Sequence, residues 1–270
     1  MTLVIASKWM FDEGEAILIT CDSRATTPIG IMYEIKKAYP IMIGEEPIAI
    51  ASGAGDPSLI KWGFEESEEI LKNYARRNYP LNFEDFRKAI RDIEYSFMKR
   101  FSEIRAYGLK PSFQMVIGSV DLNGKASLYL FDDNGLAEPV HDNPGYAIIG
   151  SGFITGALLL LRLLGYSMDL DLGMLSTFII DLVSEVDTSV GPFIGESYLM
   201  RIDIKNGKKT LALGPLKLEA LRKYKDKVIK RKEIIKKIWK IFDEIGEEEI
   251  EKMINDLKNK IKIGEKNEHK

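Results

Sequence analysis

Apolar residues in the first part of the chain come in short runs that polar turns separate. Leu3–Ser7 and Ala16–Cys21 flank the turn Phe11-Asp12-Glu13-Gly14, so they predict a β-hairpin that begins almost at the start of the chain. Lys37–Ile43 and Pro47–Ser52 predict a second hairpin. The N-terminal part is therefore predicted to consist of antiparallel strand pairs.

Beyond residue 55 the apolar positions follow a helical spacing. Asp56 is a good N-cap and Pro57 suits a first helical turn, so a helix is predicted from there to about Asn78, and Pro80 stops it. The N-cap Asn82 begins a second predicted helix, whose apolar residues recur at a helical period: Phe83, Phe86, Ile90, Ile93 and Phe97.

The rest of the main body returns to strands and then to helices. The predicted elements are the strands Phe113–Asp121, Ala126–Phe131 and Tyr146–Ile149, the helices Phe153–Leu164 and Leu172–Val186, and a hairpin of Tyr198–Ile204 with Lys208–Leu213. Tight turns favour antiparallel sheets, and two helix pairs favour helices on both outer faces of two packed sheets. The predicted fold class is α+β, a four-layer αββα sandwich with a C-terminal helical extension.

Charge divides the chain into two parts. Residues 215–270 contain 17 Lys+Arg and 12 Asp+Glu, whereas residues 1–214 contain 21 Lys+Arg and 29 Asp+Glu. Leu216–Glu244 and Glu247–Ile263 predict two charged amphipathic helices around Gly246. We therefore predict a main domain over residues 1–214 and a basic helical hairpin over residues 215–270.

Composition and motifs exclude several classes. The single cysteine, Cys21, allows no intrachain disulfide, and we expect a cytoplasmic protein without a signal peptide or a membrane span. Two histidines, His141 and His269, are too few and too far apart to suggest a metal site, and no phosphate-binding glycine loop is present. No cofactor and no nucleic-acid partner are expected.

The N-terminal Met1-Thr2 sequence could supply a nucleophile. Removal of Met1 would leave Thr2 with a free α-amine beside its own hydroxyl, and that amine has a pKa of ~7.7–8.0. It could therefore accept the proton of a hydroxyl that is too weak a nucleophile alone. Many proteins begin with Met-Thr, however, so the neighbouring segments decide.

Three polar or small-residue segments accompany Thr2. Asp22 to Thr27 follow the second predicted strand, where a solvated turn is the simpler interpretation. Lys36-Lys37 precede the third strand, where a charged strand start is simpler. Ala51 to Asp56 precede the first helix; their small side chains would let backbone N–H groups approach a substrate, or would form a tight turn.

In this order and spacing the segments resemble the proteasome β-subunit family over roughly residues 2–213. The matching residues are Thr2, Asp22, Arg24, Lys37, Gly55-Asp56, Gly150-Ser151-Gly152 and Asp187-Thr188-Ser189. The resemblance implies a Thr2 nucleophile, with Lys37 lowering the pKa of its hydroxyl and Asp22 orienting Lys37. It also implies that Ser151 and Asp187 assist the α-amine, that backbone near Ser52 and Gly53 forms an oxyanion hole, and that Thr26 and Thr27 line the substrate groove.

The chain departs from that family in three places. Ser52 stands where proteasome subunits usually have Gly, and Val190-Gly191-Pro192 replaces their Ser-Gly-Gly. The helical extension is also foreign to ordinary β subunits, so nothing favours a stacked ring and a monomer is expected.

Thr2, the proteasome-like body and the helical extension together resemble connectase, a protein ligase family of methanogenic archaea. The resemblance implies cleavage of an Asp–Pro bond in a Lys-Asp-Pro-Gly-Ala motif, with transfer of the fragment through Thr2 to another Pro-Gly-Ala chain. The implied protein substrate belongs to the membrane enzyme tetrahydromethanopterin S-methyltransferase, of which it is one subunit.

Three functions remain open from the sequence. The first is a protein ligase that uses Thr2, and the second is a threonine-type hydrolase with the same nucleophile. The third is a binding protein on a degenerate scaffold, in which the helical extension is the working part.

Overall fold

The computed structural model describes residues 2–26, 32–34, 36–163, 165–191, 194–205, 207–244, 246, 248–249 and 251–256. These residues form antiparallel sheets and α-helices in two compact units, Met1–Lys225 and Asp226–Lys270. The division falls within the last long helix, Leu218–Glu244. The predicted domain boundary after residue 214 stays a prediction.

The first sheet has five antiparallel strands and contains both chain segments that lead to Thr2 and Asp22. Its order is β10, β1, β2, β11, β12, and the strands are β1 Val4–Phe11, β2 Gly14–Asp22, β10 Tyr146–Ile149, β11 Ile194–Lys205 and β12 Lys208–Pro215. The first hairpin pairs Val4 with Cys21 and Phe11 with Gly14. The predicted N-terminal hairpin is thereby confirmed.

The second sheet also has five antiparallel strands, in the order β5 to β9 along the chain. They are β5 Ala38–Ile43, β6 Glu46–Gly55, β7 Phe113–Val120, β8 Ala126–Phe131 and β9 Ala137–Pro139. A separate two-stranded sheet joins β3 Arg24–Thr26 to β4 Met32–Glu34. The strands β3, β4 and β9 are three residues each and were not predicted.

Two long helices cover the second sheet, and their N-caps are the predicted ones. Helix α1 spans Pro57–Arg77 and α2 spans Phe83–Ala106. The Asp56 carboxylate accepts the N–H groups of Ser58 and Leu59, and the Asn82 side chain accepts the N–H of Asp85. These bonds satisfy N–H groups that a helix start would otherwise leave without partners.

The buried apolar residues form three clusters. One joins α1 and α2 to the second sheet and includes Phe86, Phe97 and Phe131. Another contains residues from both sheets, among them Ile17 and Val116. The third joins the first sheet to helices α3 Ala157–Leu163 and α4 Leu172–Val186.

The third predicted helix begins later than expected. Residues Ser151–Phe153 form a 3₁₀ turn instead, and α3 starts only after Gly156, whose φ is +119°. The reason is tertiary, because the Gly152 N–H bonds to the carbonyl oxygen of Thr2 at 3.3 Å. The predicted helix end at Leu164 lies outside the described residues.

The C-terminal unit is helical in its described part. Helix α5, Leu218–Glu244, matches the first predicted extension helix, and residues 251–256 are helical within the second, of which residues 257–263 lie outside the described residues. Over the described part of the chain, no helix combines the length and the apolar character that crossing a bilayer requires.

Candidate active site

The carboxylate of Asp22, at the end of β2, is the most highly bonded group of the site. Its side chain is fully buried. The Oδ1 atom accepts the Leu3 N–H at 2.8 Å and Lys37 Nζ at 2.6 Å. The Oδ2 atom accepts the N–H groups of Arg24 at 3.0 Å and Gly191 at 2.8 Å. One carboxylate therefore ties the N-terminus, the Lys37 strand and the loop after α4 together.

Lys37 precedes β5 and points its ammonium group to this carboxylate. The Nζ atom also donates to the carbonyl oxygen of Arg24. Burial lowers the pKa of Lys37 below its ordinary value of 10.5, while the charge and hydrogen bond of Asp22 oppose that shift. The buried Ser52 hydroxyl donates to the Lys37 carbonyl oxygen at 2.8 Å, which fixes the backbone from which the side chain extends.

Thr2 is half-buried and lies directly before β1, between two anchored neighbours. On one side, the following N–H, that of Leu3, bonds to Asp22. On the other, its carbonyl oxygen accepts the Gly152 N–H. Gly150 has a φ of +91°, and a Cβ atom there would lie 2.0 Å from the Thr2 oxygen. The turn at residues 150–152 can therefore close on Thr2 only with glycine at residue 150.

A second polar group surrounds Asp187 at the end of α4. The Asp187 Oδ1 atom accepts the Ser189 N–H at 2.9 Å and also the Ser189 hydroxyl. The Ser189 hydroxyl lies 3.5 Å from that of Ser151, and the Thr155 hydroxyl donates to Asp187 Oδ2 at 3.3 Å. Ser151 and Asp187 are thus brought together, with Ser189 as the link between them.

Arg24 connects the two polar groups. Its guanidinium donates to the carbonyl oxygen of Thr188 at 2.6 Å, and its own N–H and carbonyl oxygen bond to Asp22 and Lys37. The predicted residues Asp22, Arg24, Lys37, Ser151 and Asp187 therefore belong to two hydrogen-bonded groups that Arg24 joins, and both contact the backbone at residues 2–3.

The four predicted substrate-binding residues differ in what the structure describes. Gly53 continues β6, opposite Met115, and a Cβ atom there would lie 2.8 Å from the Ile60 side chain. Ser52 pairs with Ala38, and its side chain contacts the Lys37 backbone. Thr26 ends β3, and Thr27 lies outside the described residues. Their contact with a substrate stays a prediction.

Sequence reasoning assigned no role to Ser189, Thr155 or Gln114. Ser189 had a usable signal, because an Asp followed two residues later by Ser commonly forms an Asx turn, in which the carboxylate accepts the later N–H. Gln114 had none: it lies on β7, and its Oε1 accepts the Gly150 N–H at 3.0 Å. Gln114 thereby supports the turn that closes on Thr2.

The chemistry available to this arrangement is that of charge and hydrogen bonding. A buried ammonium–carboxylate pair beside a hydroxyl favours the ionised hydroxyl, since a nearby cation stabilises an anion. In the part of the chain that the structure describes, no group of three or more His, Cys, Asp or Glu side chains is placed to hold a metal ion.

Comparison with known proteins identifies the fold. Neither a family profile nor a curated protein matches the chain. A solved structure of an Anbu (Gly-1) mutant from Hyphomicrobium sp. strain MC1 matches it with a TM-score of 0.61 at 16% identity, over 92% of this chain and 99% of that one. Anbu is a proteasome-like protein. This chain has a proteasome-like fold. At 16% identity the likeness concerns the fold alone, and activity must be argued from the site.

Proposed function

We propose that the protein is an N-terminal threonine transpeptidase, a protein ligase, and that Thr2 forms a covalent conjugate with its substrate after Met1 is removed. The single observation that supports it is the shared oxygen of Asp22. Oδ1 accepts both the Leu3 N–H and Lys37 Nζ, which sets the buried ammonium group beside the peptide bond that follows Thr2.

In the proposed reaction the Thr2 hydroxyl attacks the carbonyl carbon of a substrate Asp. Its proton passes to the Thr2 α-amine and then to the leaving Pro nitrogen, so that the Asp–Pro C–N bond breaks and an ester forms. Lys37 stabilises the developing alkoxide, and Asp22 keeps Lys37 charged and oriented.

Other residues position the reacting groups in this proposal. Ser151 and Asp187, joined through Ser189, hold the α-amine and relay its proton. Arg24 fixes the loop that carries Asp187 through its bond to Thr188. Backbone N–H groups near Ser52 and Gly53 bind the oxyanion, and Thr26 and Thr27 line the groove for the peptide.

The proposed architecture is the four-layer αββα sandwich of N-terminal-nucleophile proteins, over residues 1–214, with residues 215–270 as a separate extension. The three apolar clusters support it, because each contains residues from elements that would be adjacent layers. The mutual packing of two sheets would put the ends of β1, β2 and β6 at one edge, where Thr2, Asp22 and Ser52 lie.

Ligation completes the proposed cycle. The Pro nitrogen of a second chain attacks the ester carbonyl, the bond to Thr2 Oγ breaks, and the hydroxyl regains its proton. The ester can also shift to the neighbouring α-amine, and the resulting amide resists water far better than the ester. We propose a Lys-Asp-Pro-Gly-Ala motif as the recognition sequence. The proposed protein substrate is the tetrahydromethanopterin S-methyltransferase subunit that carries this motif, met by a monomeric cytoplasmic enzyme.

A threonine-type hydrolase is the second candidate, because the same Asp22–Lys37 arrangement would serve it. A two-peptide exchange distinguishes the two. The protein is mixed with a tagged peptide containing Lys-Asp-Pro-Gly-Ala and a second peptide that begins with Pro-Gly-Ala. Mass spectrometry of the products should find the tagged fragment joined to the second peptide. Free acid without a conjugate would assign a hydrolase. An intact peptide that still binds, and binds equally after Thr2→Ala, would assign a non-catalytic binding protein.

A further inference from the structure

The C-terminal unit begins with a strongly basic helical segment. Residues 226–240 of α5 contain seven Lys+Arg and two Asp+Glu. The basic residues are Lys227, Lys230, Arg231, Lys232, Lys236, Lys237 and Lys240. This density of positive charge creates a local potential that attracts anions although the whole chain is slightly acidic, with a net charge of −3.

Large apolar side chains are exposed on the same segment. The exposed fractions of Ile234, Ile235 and Ile238 are 53%, 46% and 44%, and that of Trp239 is 74%. At about 100° per residue these four side chains lie within one side of the helix. Isolated apolar residues are common on protein surfaces, but three Ile and a Trp side by side mark an interaction surface.

The opposite side of the helix is cationic. Lys236, Lys237 and Lys240, together with Glu233, line a shallow groove there. The segment therefore has an apolar face with Trp at its edge and a polar face that is rich in lysine. This distribution is typical of helices that lie in the plane of a membrane interface.

We propose that residues 226–240 bind the surface of an anionic lipid bilayer. Ile234, Ile235 and Ile238 would enter the boundary between headgroups and acyl chains, and Trp239 would sit at headgroup level, where its apolar ring and N–H are both satisfied. The long apolar stems of the flanking lysines would let their ammonium groups reach lipid phosphates.

Charge complementarity and the apolar face together favour this partner. Anionic leaflets attract clustered Lys and Arg, with a contribution from each basic residue that neutral lipids do not provide. A nucleic acid would use the positive charge but would leave the isoleucines in water. An acidic protein helix on the apolar face would leave the lysines of the opposite face without counter-charges, whereas the potential of a charged plane acts on all of them.

The test is vesicle co-sedimentation of the full chain. Vesicles of phosphatidylcholine alone are compared with vesicles that contain about one-third phosphatidylglycerol, at about 0.1 M and about 0.5 M salt. The protein should sediment with the anionic vesicles only, and high salt should release it because it screens the attraction. Binding should also shift the fluorescence of Trp239 to the blue, and Trp239→Phe should remove that shift while Trp9 and Trp62 remain.

Two variants distinguish charge from apolar contact. Lys236→Glu/Lys237→Glu/Lys240→Glu should weaken partitioning by about tenfold or more. The matched control, Lys61→Glu/Lys99→Glu/Lys110→Glu, makes the same change of net charge at exposed positions of the other unit and should bind like the wild type. Ile234→Ser/Ile238→Ser should also weaken binding although the charge is unchanged.

Three results would overturn the proposal. One is equal binding to neutral and anionic vesicles, and another is equal loss in the two charge variants. The third is failure to bind vesicles combined with self-association that Trp239→Ala abolishes, which would assign this face to a second copy of the chain.

Discussion

A Cβ atom added to Gly150 would lie 2.0 Å from the carbonyl oxygen of Thr2. The contact is between backbone atoms, so no rotamer change could relieve it, and the φ of +91° at Gly150 adds strain for any other residue. The absence of a side chain at residue 150 is therefore what allows the 150–152 turn to hold Thr2.

Gly150→Ala should displace Thr2 and abolish conjugate formation. Gly44→Ala is the matched control, because Gly44 also has a positive φ, +61°, but a Cβ atom there would meet nothing within 4 Å. The control should lose about 1 kcal/mol of unfolding free energy in urea and keep its activity. Equal loss of activity in both variants would contradict the role assigned to this contact.

The Asp22–Lys37 pair predicts an asymmetry in stability. Asp22→Asn leaves the buried Lys37 ammonium without its counter-charge, which should cost about 3–5 kcal/mol. Lys37→Met should cost less, because three backbone N–H groups still bond to the Asp22 carboxylate. Urea unfolding of both variants and of the double variant tests this, and the double variant should be more stable than Asp22→Asn alone.

The buried ion pair between Lys8 and Glu15 supplies the control for that series. Its Nζ–Oε1 distance is 2.7 Å. Lys8→Met should lower the unfolding free energy and leave conjugate formation unchanged, whereas Lys37→Met should abolish it. If both variants retained activity, Lys37 would have only a structural role.

The rate of conjugate formation should depend on pH in a bell shape. The rising limb reports deprotonation of the Thr2 α-amine, near ~8. The falling limb reports loss of the Lys37 proton and lies below pH 10.5, because burial lowers the pKa of Lys37. Asp22→Asn removes the charge and hydrogen bond that raise this pKa, so its falling limb should move to lower pH. A limb that stays in place or moves upward would show that another group titrates there.

Ser189 should matter through Asp187 and Ser151. Ser189→Ala removes the hydroxyl that contacts both side chains and should slow conjugate formation by about tenfold, which corresponds to one hydrogen bond of about 1.4 kcal/mol. Ser184→Ala is the control, because its hydroxyl donates only to the carbonyl oxygen of Asp181, at 2.7 Å, within α4. Equal rates in the two variants would remove Ser189 from the proposed relay.

Local signals were sufficient to predict most of the regular fold. The caps Asp56 and Asn82 and the turn before Gly14 act on neighbouring residues, so the sequence around them predicts the elements that begin or end there. The three-residue strands β3, β4 and β9 carry no comparable signal, because a strand that short is defined by its partner. The 3₁₀ turn at Ser151–Phe153 depends on Thr2, at the far end of the domain's sequence, and no local pattern reveals it.

The candidate site was predictable in its residue types but not in its connections. Resemblance to proteasome subunits pointed to Asp22, Lys37, Ser151 and Asp187, which the structure assigns to two hydrogen-bonded groups. It could not predict that Ser189 links Ser151 to Asp187, since that contact depends on how the loop after α4 folds back. For the same reason Gln114 was missed: its bond to Gly150 joins strands far apart in the sequence.

The intact mass of the protein, alone and after mixing with a peptide that contains Lys-Asp-Pro-Gly-Ala, tests the central proposal most directly. The account predicts loss of Met1, then a mass gain equal to the peptide fragment ending in Asp, located on Thr2 by proteolytic mapping. Thr2→Ser should retain the gain and Thr2→Ala should abolish it. Retention of Met1, or an adduct that survives Thr2→Ala, would contradict a Thr2 nucleophile.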